Sequence, residues 1–230
     1  VTQAALAAEA ARRRAAEAAV AEVEDGMVVG LGTGAAAALA VEALARRIAD
    51  GLHVAGIPTS ERTAALATRL GVPLTTFATH RRIDLTIDGA DEVELGTLDL
   101  VKGLGGALLH EKIVAAASRR MLVVVDEAKL VDRLGRHAPL PVEIVPFGHQ
   151  ATLERLDEAG GAPTLRGGTA PFVTDSGHFI ADCRTGPIAD AHALDTRLKA
   201  IVGVVETGLF LGLASRVLVG TPEGVRVLDR

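Results

Sequence analysis

Along the first 134 residues, short apolar runs alternate with longer stretches whose apolar positions recur at helical spacing. That alternation is the pattern of βα units feeding a parallel sheet. Residues 27–31 form a continuous apolar run and predict a buried strand, and 35–50 predict a helix closed by Gly51 in the C′ position. Residues 53–57 predict a second strand, after which Thr59 or Ser60 caps a helix running through Leu66 to Gly71. Third and fourth strands are predicted over 83–87 and 121–125, ending at Asp88 and Asp126.

Pro139, Pro141 and Pro146 frame a short apolar run over 142–145, where the rhythm breaks and a domain boundary is predicted. Beyond it come a helix over 150–158 with a Gly160-Gly161 stop, a tight turn at Asp175-Ser176-Gly177 before a strand over 179–183, and a helix over 190–199. Residues 216–220 and 225–228 flank a Thr-Pro-Glu-Gly turn and predict a hairpin that rejoins the first sheet. The expected fold is α/β: a Rossmann-like parallel-sheet domain from residues 1–134 and 207–230, with a smaller α+β, ferredoxin-like domain over 135–206 serving as lid or oligomerisation unit.

Composition narrows the functional classes. The 230 residues are 49% apolar with a net charge of −5, enough for a sizeable core and without the footprint of a nucleic-acid binder. Arg12-Arg13-Arg14 sits in an Ala/Glu/Arg pattern that reads as a solvated helix face. A single cysteine, Cys183, excludes an intrachain disulfide framework and suits a reducing compartment, with cytoplasm the expected location. No apolar run approaches the roughly 20 residues of a membrane span, and the amino terminus has no uninterrupted apolar signal segment. Trp and Tyr are absent, which leaves little for stacking bases or sugar rings.

The chemistry-bearing motifs all follow predicted strands, at the edge where open α/β sheets gather ligands. Gly30-Leu-Gly32-Thr33-Gly34-Ala35 satisfies a relaxed dinucleotide fingerprint, but no acid stands at the end of the second strand to hold a ribose hydroxyl. The loop therefore reads as a cradle for a phosphate monoester on backbone amides and a helix dipole, with a packing turn as the plain alternative. Asp88, Asp91 and Glu92 are read as solvated loop acids, as oxygen ligands for a cation, or as proton-moving groups. Lys102 lies among Gly103, Gly105 and Gly106, a poor setting for packing and a good one for close approach to a ligand. Glu111 opens an apolar helix over 107–118, where a helix-start carboxylate is favoured in any case. The histidines are dispersed without zinc-site spacing and no serine stands in a Gly-x-Ser-x-Gly elbow, so neither metal catalysis nor a nucleophilic triad is predicted.

These motifs, with Asp84-Leu-Thr-Ile-Asp88-Gly89-Ala90-Asp91-Glu92, Lys102-Gly-Leu-Gly, Glu111-Lys112-Ile113, Asp126-Glu-Ala-Lys129, Pro139-Leu-Pro-Val-Glu143 and Gly203-Val-Val-Glu-Thr-Gly-Leu-Phe210, resemble the blocks of type A ribose-5-phosphate isomerases in family order. The resemblance implies metal-independent, cofactor-free interconversion of D-ribose 5-phosphate and D-ribulose 5-phosphate through an enediolate, in the non-oxidative pentose phosphate pathway. It implies Glu111 as the base moving a proton between C2 and C1, Asp88 for ring opening and hydroxyl proton transfer, Asp91 for orientation and Lys102 for the enediolate oxygen. Substrate and phosphate contacts are implied at Thr33, Gly34, Ala35, Ala36, Asp88, Gly89, Ala90, Asp91, Lys102, Gly103, Leu104, Gly105 and Lys129, with Arg12 where some relatives carry a phosphate-directed Lys. A homodimer or homotetramer is implied, with no nucleic-acid or membrane partner.

Two features depart from the family pattern: Ala35 and Ala36 stand where relatives often carry hydroxyl residues after Thr33-Gly34, and Leu104 replaces a frequent glycine. The rival reading is a non-catalytic sugar-phosphate sensor of related fold, which has no use for Glu111 together with Lys102.

Overall fold

The computed structural model describes residues 3–230, with side chains from Leu6 onward. Its helices are α1 (Gln3–Ala21), α2 (Ala35–Ala49), α3 (Glu61–Arg69), α4 (Leu108–Ala116), α5 (His149–Glu158) and α6 (Ala191–Lys199). The strands of the first half are β1 (Val28–Leu31), β2 (Ala55–Pro58), β3 (Ile83–Asp88), β4 (Glu92–Glu94), β5 (Leu100–Val101), β6 (Ser118–Asp126) and β7 (Leu130–Val131). Those of the second half are β8 (Leu140–Ile144), β9 (Pro163–Leu165), β10 (Phe179–Cys183), β11 (Val204–Thr207), β12 (Leu209–Phe210), β13 (Arg216–Gly220) and β14 (Val225–Asp229).

The chain divides into two compact units. One takes in the chain up to Ala90, His110–Leu130 and Gly212–Arg230; the other takes in Asp91–Leu109 and Val131–Leu211. The first unit carries a six-stranded sheet in the order β14-β13-β6-β3-β1-β2. Its pairings are parallel except for the β13–β14 hairpin, which rejoins the sheet beside β6 as the sequence predicts. All of β1 is buried, which is why it reads as an unbroken apolar run rather than an alternating one. Small residues let the two long helices approach closely: Ala15, Ala16 and Ala19 of α1 join Ala40, Ala43 and Leu44 of α2 in one core with Val29, Leu85 and Leu122.

The arginine run of α1 is less solvated than its pattern suggests. Arg12 is ion-paired to Asp126 at 2.8 Å and Arg14 donates to the carbonyl of Thr221, while Arg13 reaches Glu42 at 3.0 Å. A Cβ at Gly220 would lie 2.0 Å from the carbonyl oxygen of Ala11, so this glycine lets α1 lie against the end of β13. These partners are distant in sequence, and a helical charge pattern carries no record of them.

The second unit follows the order β8-α5-β9-β10-α6-β11, with an antiparallel sheet ordered β11-β8-β10-β9. This split βαβ arrangement is the ferredoxin-like one. The proline-framed run is thus an inner strand: Leu140, Val142 and Ile144 enter a core with Leu156, Cys183 and Leu198. A further small sheet, β12-β5-β4-β7, draws residues 91–109 into this unit, whereas the sequence groups them with the parallel sheet. Strands of two or three residues have no period to read, and only their pairings with β12 and β7 reveal them.

Candidate active site

In the first unit the glycine-rich turn joins β1 to α2. Gly34 is the N-cap of α2 with φ of 112°, a conformation that favours glycine, and no side chain caps the helix. The leading amides of α2, from Ala35 and Ala36 onward, thus stand at a positive helix end whose N-cap residue has no side chain to accept from them. Ala36 is buried and Ala35 is exposed. Neither side chain carries a hydrogen-bond donor, so the donors at these two positions are the backbone amides.

Thr33 is anchored instead of free to turn toward solvent. Its hydroxyl lies 2.7 Å from Thr59 Oγ1 and 2.8 Å from Ser60 Oγ, and Thr63 Oγ1 donates to the Gly32 carbonyl at 2.9 Å. The four hydroxyl residues are buried. Ser60 is also the N-cap of α3, accepting from the Thr63 amide. The sequence signal for this network is only the placement of Thr59-Ser60 directly after β2; its function as a brace for the neighbouring loop depends on the β1–β2 register.

Asp88 is the last residue of β3 and fully buried. Its Oδ1 accepts from the amides of Thr33 at 3.2 Å and Gly89 at 2.7 Å. A Cβ at Gly32 would fall 2.2 Å from that oxygen, so the glycine is what admits the carboxylate to the loop. Gly89 packs near Ala36, where an added Cβ would sit 3.4 Å from the alanine Cβ. Asp126, at the end of β6, caps the short 3-10 turn Glu127–Lys129 through the Ala128 amide and takes the Arg12 guanidinium on its other oxygen. Lys129, at the end of that turn, is half-buried. Arg12 thus ties α1 to the carboxylate that caps this turn. Glu111 stands in the first turn of α4 and is 3% exposed, far more enclosed than a helix-start carboxylate needs to be.

In the second unit, Asp91 Oδ2 accepts from the Leu104 amide at 2.9 Å, and the Asp91 amide bonds to the Val101 carbonyl at 2.8 Å. Lys102 is 2% exposed. Its amide donates to Gly208, and its ammonium lies 5.4 Å from the centroid of the Phe210 ring. The residues that need glycine in the loop are Gly103, at φ 115°, and Gly106, at φ 81°; Leu104 and Gly105 do not take positive φ. Leu104 is thus compatible with the loop, and its exposed side chain costs no backbone strain.

Glu92 parts company with its neighbours. It is buried, with Oε1 taking the amides of His137 and Ala138 and Oε2 that of Gly135, so its capacity goes into holding the 135–138 turn. Among the described residues no cluster of three or more His, Cys, Asp or Glu side chains is placed to hold a metal ion. No helix among them is long and apolar enough to cross a membrane.

An α/β chain of this construction, with a parallel sheet bearing loop acids and a ferredoxin-like unit bearing a buried lysine, has close counterparts. The family model for ribose 5-phosphate isomerase A (phosphoriboisomerase A) matches residues 55–224. The chain belongs to that family of isomerases. It is 58% identical to the ribose-5-phosphate isomerase A of Gloeobacter violaceus over 219 residues, covering 94% of this chain and 95% of the relative. Against the Gluconobacter oxydans protein of the same name the identity is 53%, over 93% and 94% of the two chains. The solved structure of ribose 5-phosphate isomerase A from Methanocaldococcus jannaschii superposes with a TM-score of 0.92 at 42% identity, covering 96% of this chain and 99% of the other. A D-ribose-5-phosphate isomerase solved in complex with phospho-erythronic acid gives 0.93 at 38% identity, over 97% and 99%.

Proposed function

We propose that the chain interconverts D-ribose 5-phosphate and D-ribulose 5-phosphate by proton transfer through an enediolate, without a metal, as in the non-oxidative pentose phosphate pathway. The observation that carries this reading is the enclosed carboxylate of Glu111 in a chain of this family. Aldose-to-ketose conversion moves one hydrogen from C2 to C1 and one proton from O2 to O1, and leaves all other bonds unchanged. A single carboxylate can take the proton from C2 and return it to C1.

Charge then develops on the carbonyl oxygen. Lys102, buried and on a loop shaped by Gly103 and Gly106, is the cation assigned to offset it. Asp88 is assigned ring opening and proton exchange at the hydroxyls. Its Oδ1 is already fixed by the Thr33 and Gly89 amides, so its carboxylate plane has little freedom to rotate. Asp91 orients substrate while bracing Leu104. The phosphate is assigned to the loop of Thr33, Gly34, Ala35 and Ala36, on the amides that follow Thr33, whose own amide is held by Asp88, with Lys129 as a distant cation. Gly89, Ala90, Gly103, Leu104 and Gly105 complete the proposed contacts. Binding of phospho-erythronic acid by a relative at 38% identity supports a site suited to an anionic sugar-acid phosphate.

The test is ketose formation from ribose 5-phosphate by purified protein with chelator present. Product formation undiminished by chelator is expected. Failure to form product, with ribose 5-phosphate still bound, would favour a non-catalytic sugar-phosphate sensor.

A further inference from the structure

The sequence gives Arg166 no role, yet in the second unit its side chain ends on the glycine-rich loop. Nη1 donates to the carbonyl of Gly103 at 3.0 Å and to that of Leu104 at 3.3 Å. Nε and Nη2 grip the carboxylate of Asp182 side-on, at 2.9 and 2.5 Å. Both side chains are largely enclosed, at 17% and 23% exposure, so solvent screens the pair less than it would a surface bridge. The Arg166 backbone is fixed too, its amide on the Ile180 carbonyl of β10 and its carbonyl taking the Phe172 amide. The Phe172 ring lies 5.9 Å from the guanidinium carbon, and a Cβ at Gly106 would fall 2.5 Å from that ring.

In a trans peptide the C=O and the following N–H point in opposite directions. With the Gly103 carbonyl on Arg166, the Leu104 N–H must point away, and it does so onto Asp91 Oδ2. With the Leu104 carbonyl on the same nitrogen, the Gly105 N–H is turned the same way. One guanidinium thus aligns two successive peptide planes, presents their donors on the Asp91 side, and sets the direction of the backbone leaving Lys102.

We propose that Arg166, held by Asp182, is a positioning residue that fixes the 102–106 loop in the orientation the isomerisation needs. The inference rests on the reading of Lys102 as the group that offsets charge on the substrate. Lysine cannot replace this arginine, because one ammonium cannot grip a carboxylate side-on and hold two carbonyls in a fixed plane.

Turnover of ribose 5-phosphate by Arg166→Ala, Arg166→Lys and Asp182→Asn tests it, alongside their thermal melts and the exchange rates of the amides of residues 104–106. Misplacing a charged group by an ångström is expected to lower kcat by roughly 10- to 100-fold in Arg166→Ala, more than it raises KM. Guanidinium chloride, well below unfolding concentrations, is expected to recover part of the loss in Arg166→Ala but not in Arg166→Lys, and the amides of 104–106 are expected to exchange faster. Asp182→Asn, which keeps shape and removes charge, is expected to show a smaller loss of the same kind. A folded Arg166→Ala with the kcat and KM of an active wild type overturns the proposal and leaves the isomerase reading standing. So does a loss explained by a lower melting temperature alone, without guanidinium recovery. An inactive wild type overturns the isomerase reading; loop amides that then exchange at the same rate in both proteins overturn the positioning role as well.

Discussion

The Thr33 amide and the Asp88 carboxylate are joined across adjacent parallel strands, with Oδ1 of the acid 3.2 Å from the amide nitrogen. The link welds the proposed phosphate loop to the proposed ring-opening acid, and Gly32 is the residue whose missing side chain permits it. Replacing Gly32 by Ala would bring the new methyl within 2.7 Å of the Asp88 Cα, a contact no rotamer change relieves. Gly32→Ala is expected to cost about 1–3 kcal/mol of stability, as overpacking does. Denaturant titration measures that cost, and kcat and KM of the folded fraction are expected to worsen together because both loop and acid must move.

Glu111→Gln preserves size while removing the proposed base. Turnover is expected to fall by about 10²-fold or more, with the thermal midpoint close to wild type. Near-normal turnover in the folded variant would remove Glu111 from the mechanism.

Lys102→Ala separates transition-state stabilisation from simple binding. A loss of about 3 kcal/mol or more in kcat/KM is expected, the size of an oxyanion-hole donor, with most of it in kcat. If only KM changes, Lys102 is a uniform contact to the substrate.

Cys183 gives a pH-dependent readout of the second unit's core. Burial, with a smaller contribution from the charge of Asp182, pushes its thiol up to about 12. A raised folded pKa means its contribution to stability is intact below the unfolded thiol pKa, about 8.5, and is lost as pH rises toward the folded value. Native protein at pH 9 is therefore expected to resist iodoacetamide, and urea-unfolded protein to react promptly. Rapid labelling of the native state would show that this core opens locally.

The parts of the fold that rest on long periodic segments were legible in the chain. The strands ending at Leu31 and Asp88, the glycine stop after α2, the Ser60 cap and the final hairpin all follow from local pattern, because the forces that define them act within a few residues. What eluded it depends on partners far along the chain. Glu92 looks like Asp88 and Asp91 in sequence, and only the return of residues 135–138 reveals it as a brace. Arg12 looks like a surface charge until β6 brings Asp126 to it, and Arg166 looks like any loop arginine until its carbonyl partners are known. Leu104 was readable as a departure from the family pattern, but its freedom from positive φ was not, since φ at that residue is set by its neighbours.

The placement of β13 has a consequence for biosynthesis. That strand lies between β6 and β14, so one long edge of the parallel sheet is covered only by residues 216–229. While these residues are still inside the ribosome, β6 presents a row of open backbone donors and acceptors flanked by apolar side chains, the kind of edge on which nascent chains aggregate. A stalled or clipped product lacking the hairpin would therefore fail by sticking to its own kind rather than by losing a catalytic group.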